Sequence, residues 1–151
     1  MRPLPSTSTA WALESLLLFG TVSAGIGTFL ALVLGGAGFP VELLEGTPFS
    51  TPTIPGIILG VGVGGTQLLA AVTLLRRSRA GLLWSAVAAA AMLIWIFTEV
   101  AMLDGFQWLQ AFYFAVGLSE MILVLALLGI RPSVAQPGTG IDAEDLGPVT
   151  W

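Results

Sequence analysis

The sequence predicts an all-α membrane protein: a four-transmembrane-helix antiparallel bundle with both termini in the cytoplasm. Four apolar runs occupy most of the 151 residues, each near the roughly 20 residues that a helix needs to cross the hydrocarbon core. All five positively charged residues fall on one side once these runs are threaded. Arg2 precedes the first run, Arg76, Arg77 and Arg79 lie between the second and third, and Arg131 follows the fourth. The other two connections carry no Lys or Arg, so the positive-inside rule assigns the arginine side to the cytoplasm. Composition agrees: apolar residues are 56% and charged residues 9%, against roughly a quarter charged in soluble domains.

Residues 1–10 are rich in Pro, Ser and Thr and read as a flexible leader. The first crossing covers about 11–34. Arg2 and the small residues Val22-Ser23-Ala24 imitate a signal peptide, but Glu14 interrupts the apolar region and apolar sequence continues past Ala24. Residues 35–53 form the long outer loop, punctuated by Pro40, Gly46, Pro48 and Pro52. Thr53 is then a candidate N-cap with Pro55 in the first turn, where its missing N–H costs nothing. The second crossing runs over about 54–75, and a short basic turn leads to the third at about 81–103. Asp104-Gly105 forms a tight turn, and the fourth crossing covers about 108–130, stopped by Pro132. Residues 131–151 read as a disordered acidic tail with Asp142, Glu144 and Asp145. Trp11 and Trp84 fall near the inner boundary and Trp108 near the outer one, as interfacial aromatic belts require. Trp95 lies deeper, as a packing residue.

Helices in lipid gain nothing from hydrophobic burial against each other, so close backbone approach and interhelical hydrogen bonds must join them. Gly56, Gly60 and Gly64 recur at four-residue spacing on the second run. Gly20, Ala24 and Thr28, with Ser23, Gly27 and Ala31, offer matching small faces on the first. These two helices are therefore expected in closest contact, and the same glycines would serve a homo-oligomer seam.

Polar side chains at membrane depth are expensive and point to function by default. Counted from the basic side, Gln67 lies about nine residues in, roughly 13 Å, and Glu120 about ten residues in, roughly 15 Å. Ser23 and Ser119 reach the same level, so Glu120, Gln67 and Ser23 form a candidate midplane cluster. Glu99 and Gln110 lie nearer the outer face. Gln110, Tyr113, Gly117 and Glu120, spaced by three, four and three, line one stripe of the fourth helix. Glu14 lies near the inner boundary, where water would solvate it. As a structural element, Glu120 would be a proton-bearing acid bonded to Gln67 or Ser23; as a functional one, a station for a proton, cation or polar substrate. Glu45, Thr47, Pro48 and Phe49 form a candidate lid, with Phe49 plugging the bundle mouth and Glu45 above Gln110 and Glu99.

The chain has no cysteine and no histidine, which removes disulfides, thiolate catalysis and every His- or Cys-ligated metal or haem. No metal and no cofactor is expected. Three clustered arginines are too few for a nucleic-acid face, and GVGVGG lies within a membrane run and opens no phosphate-binding βα unit. The lipid bilayer is the expected partner, with a homo-oligomer or a larger membrane complex beyond it.

Leu44-Glu45-Gly46-Thr47-Pro48-Phe49-Ser50 followed by Ile54-Pro55-Gly56 resembles the outer loop of a group of small four-helix bacterial membrane proteins. Ile94-Trp95-Ile96 and Trp108-Leu109-Gln110 with Tyr113 and Gly117 also match that group, over about residues 40–128. The resemblance implies topology, a bacterial origin and hence the inner (plasma) membrane, and it assigns no catalytic residue. Arginine without lysine, with many Ala and Gly, suits a high-GC actinobacterium. The small-residue four-helix layout is also similar to DoxX-type proteins, which implies a redox-accessory role. Three functions stay open: a non-enzymatic accessory or structural subunit, favoured by the missing catalytic residue types; a small oligomeric transporter or channel subunit using Glu120 and Gln67; and a membrane enzyme or redox accessory acting on a lipid or quinone.

Overall fold

A computed structural model of the chain describes residues 7–36, 47–102 and 107–129. These residues form four helices: α1 (Thr7–Leu32), α2 (Thr53–Leu75), α3 (Gly81–Met102) and α4 (Trp108–Leu127). All four are long and apolar enough to cross a membrane, and no strand occurs among the described residues. The helices form a closed ring in which α1 packs on α2 and α4, and α3 packs on the same two. The predicted leader and tail lie mostly outside the described residues, as do Glu45 and the Asp104-Gly105 turn.

The bundle is more polar inside than outside. Its surface carries Leu, Ile, Val and Phe at high exposure, including Val61 at 72%, Ile94 at 66% and Phe97 at 65%. Its buried positions are mostly Ala and Gly with Ser85, Gln67, Gln110, Glu14 and Glu120, beside a smaller set of larger apolar residues, Leu13, Leu17, Val63, Met92, Ile96, Val116 and Val124. In water that distribution would forfeit the hydrophobic gain of folding. In a bilayer it is the economical one, because lipid solvates the large apolar side chains while helix–helix contacts take the small and polar ones. The chain is therefore read as a multi-pass membrane protein.

Helix ends differ from the sequence expectation for identifiable reasons. The first helix starts at Thr7 and not at 11, because a polar first turn can continue the helix beyond the apolar run. It ends at Leu32, where Gly35 and Gly36 take positive φ of 58° and 80° and the Gly36 N–H bonds Leu30 O at 2.9 Å. Pro52, and not Thr53, occupies the cap position of α2, with the Gly56 N–H on Pro52 O at 2.9 Å. The fourth helix ends by Gly129 at φ 75°, a left-handed residue that stops it before Pro132 is reached. At the arginine turn, Ser78 N–H bonds Thr73 O and Arg77 N–H bonds Leu74 O, each at 2.9 Å. This is the double closure of a Schellman motif, with Arg77 at φ 51° where glycine is usual. Buried Gly81 then sits so close that a Cβ would lie 3.1 Å from Leu74 Cα.

Unlike the uniform helix expected from the glycine spacing, α2 is wound as a π-helix over Leu59–Gly64. Glycines four apart drift about 40° per step around an ideal α-helix, so three of them would not hold a straight face. The extra residue absorbed by π winding turns the later positions back by about 100°. The glycines consequently line up against α1. A Cβ at Gly56 would meet Ala31, one at Gly60 would meet Thr28, and one at Gly64 would meet Ala24 Cβ at 3.2 Å. Thr28 Oγ1, already bonded to Ala24 O at 2.8 Å, also reaches Gly56 O across the interface at 3.2 Å.

Candidate functional site: a buried acid–amide pair

Gln67 on α2 and Glu120 on α4 meet in the middle of the ring. Gln67 Nε2 donates to Glu120 Oε2 at 2.9 Å, and both residues are 0% exposed. α1 closes the site with Gly20, at which a Cβ would lie 2.9 Å from Gln67 Cδ. Only a residue without a side chain leaves room for the amide. Toward the arginine turn the pair is followed by an apolar cluster of Leu13, Leu17, Ala70, Ala71, Ala88 and Val124. Toward the loop end lies a second cluster of Ala24, Val63 and Met92, covered by Leu59, Trp95 and Tyr113. The pair is thus a polar layer between two dry ones. Two of its oxygens, Gln67 Oε1 and Glu120 Oε1, are buried without a hydrogen-bond partner.

The other hydroxyls at this depth belong elsewhere. Ser23 is half-buried and has no bond to Gln67 or Glu120, since α1 turns Gly20 toward the pair. Ser119 is exposed and bonds Ala115 O of its own helix at 2.7 Å. Thr21, Thr66, Thr73 and buried Ser85 satisfy their hydroxyls on their own helices in the same way, as apolar surroundings require of an O–H.

The predicted α4 stripe does face inward, but it is occupied by packing. Gly117 lies against Met92 and Leu93 of α3, with a Cβ contact of 3.1 Å to Met92 Cγ. Tyr113 stacks on Phe19 at 6.2 Å and 21° and meets Phe112 edge-on at 5.4 Å. Gln110 is 5% exposed and serves the helix start: its Oε1 accepts the Gln107 N–H at 3.1 Å, the return half of a capping box. Glu99 is half-buried near the loop end of α3. A groove of about 280 Å³ opens between α3 and α4 at the loop end, lined by Ile96, Phe97, Val100, Gln110, Ala111 and Phe114. It does not reach Glu120.

Glu14 is a correction to the sequence reading. It is 4% exposed and its Oε1 has no partner, so it is enclosed by the bundle near the arginine turn and not held in water. Of the candidate lid, Glu45 lies outside the described residues. Thr47 Oγ1 accepts the Phe49 N–H at 3.3 Å, which folds the segment into a tight turn. Pro48 is exposed and Phe49 half-buried. Among the described residues no group of three or more Asp, Glu, His or Cys could hold a metal ion. Compared with known proteins, the chain matches no protein-family model, no curated protein and no solved structure.

Proposed function

We propose that this chain is a non-enzymatic accessory or structural subunit of a bacterial plasma membrane, with both termini and the arginine turn in the cytoplasm. The observation that supports a structural role most directly is the use made of its intramembrane polar groups. Gln67 and Glu120 bond each other, Gln110 closes a helix start, and the hydroxyls bond their own helices. The lipid-facing surface is broad and apolar, and such a surface suits lateral contact with other membrane helices through van der Waals packing. The topology rests on the placement of the five arginines. A single cysteine introduced at Arg77 in this cysteine-free chain should react only with a reagent that enters the cytoplasm; labelling from the outside would reverse the topology.

The subunit reading is tested in native membranes with a photo-crosslinking residue at Phe97 or Val61, both strongly exposed. Crosslinks to a membrane protein are expected. Crosslinks to lipid alone from both positions would overturn the reading. A transporter or channel subunit is the second reading, favoured by the unpaired oxygens of Gln67 and Glu120. It predicts that Glu120→Gln abolishes flux in reconstituted vesicles while the bundle stays folded.

A further inference from the structure

We infer that Glu120 holds a proton as its resident ligand, shared with Gln67 in an occluded two-bond acid–amide ring. The inference stands on the geometry of the pair and is independent of the subunit reading.

Gln67 Nε2–H···Oε2 Glu120 supplies one bond, at 2.9 Å. What is left over is two acceptors, Gln67 Oε1 and Glu120 Oε1, both fully buried and both without a donor. A carboxylate can only accept, whereas a carboxylic acid also donates. One proton on Glu120 Oε1 turns that oxygen into a donor, on a carboxyl already bonded to the amide whose own oxygen lacks one. A single proton taken up from water thereby satisfies both orphaned groups, with no covalent change besides the O–H bond.

No other partner is at hand. None of the four spans contains Lys, Arg or His. The ionisable groups on the packed helices are Glu14 on α1, Glu99 on α3 and Tyr113 on α4, each at least about 9 Å away by helix rise. The nearest charges on α2 are Arg76 and Arg77 at the exposed turn. A carboxylate at Glu120 would stand unpaired between two apolar layers, and burial of a lone ion costs far more than burial of a bonded neutral acid. Those layers also make the proton slow to leave: Leu17, Ala70 and Val124 close one side and Ala24, Val63 and Met92 the other.

Infrared spectroscopy of the full chain in lipid nanodiscs reads this site directly. At neutral pH the carbonyl stretch of a protonated, hydrogen-bonded carboxyl should be present, and it should vanish in Glu120→Gln but persist in Glu14→Gln and Glu99→Gln. Glu120→Gln keeps the fold, because an amide–amide ring replaces the acid–amide one. In Gln67→Met the band should move to the higher frequency of an unbonded acid. On transfer to D2O the band should shift slowly, well after exposed groups have exchanged. Absence of a Glu120-dependent band, a band indifferent to Gln67→Met, or exchange as fast as that of exposed groups would each overturn the inference.

Discussion

Gly20→Ala isolates the contact on which the middle of the bundle depends. The new Cβ would lie 2.9 Å from Gln67 Cδ, 3.0 Å from its Oε1 and 3.1 Å from its Nε2, so the amide has to move. Moving it breaks the bond to Glu120, worth about 0.6 kcal/mol on average and at most about 1.7 in a membrane interior. It also strands fully buried polar groups, at about 1–3 kcal/mol. Against this stands the helix preference for Ala over Gly, about 1 kcal/mol. The expected net loss is about 2 kcal/mol. Gly25→Ala is the control on the same helix, since a Cβ there meets nothing within 4 Å; it should be neutral or stabilising. Reversible unfolding in mixed micelles or bicelles measures both. In a Gln67→Ala background Gly20→Ala should add little further loss, because the clash and the bond it breaks are already absent. If Gly20→Ala tracks Gly25→Ala, or if Gln67→Ala adds its cost in full, the close-packed layer is not as described.

Gly60→Ala places a Cβ on the Thr28 side chain and should destabilise the α1–α2 contact by about 1–3 kcal/mol, the usual cost of overpacking; adding Thr28→Ala should restore it in the same unfolding assay. Arg77→Gly relieves a left-handed backbone at φ 51° and should stabilise by about 1 kcal/mol, seen as a rise in unfolding midpoint with topology unchanged because Arg76 and Arg79 remain. Gln110→Met removes the acceptor of the Gln107 N–H; the loss of a cap costs about 0.5–2 kcal/mol and should appear as faster amide exchange confined to the first turn of α4.

The four crossings were legible because each is a long apolar run bounded by charge, glycine or proline, and membrane length is a strong ruler. The same ruler, applied from the basic end, put Gln67 and Glu120 at one height, and the structure joins them at 2.9 Å. Depth alone did not say which residue of α1 completes the layer. Ser23 is the polar candidate at that height, yet a full amide between three helices needs space more than another hydroxyl, and Gly20 provides it. Glu14 was misplaced because distance from the span's end measures membrane depth and says nothing about which neighbours enclose a side chain. The π turn was illegible to a four-residue glycine count that assumed uniform winding. Its signal was present in Leu59-Gly60-Val61-Gly62-Val63-Gly64-Gly65, where glycine is dense enough to weaken the preference for ordinary α-helical hydrogen bonding.

The ring is closed by its last member. α1 and α2 can zip together through their small residues as soon as both have left the ribosome, and at that stage the Gln67 amide has nothing to hold. Its mate arrives only with α4, the last of the four described helices. A chain broken off after α3 would therefore present a bare amide to the acyl chains, a ready mark by which membrane quality control could tell an unfinished product from a finished one.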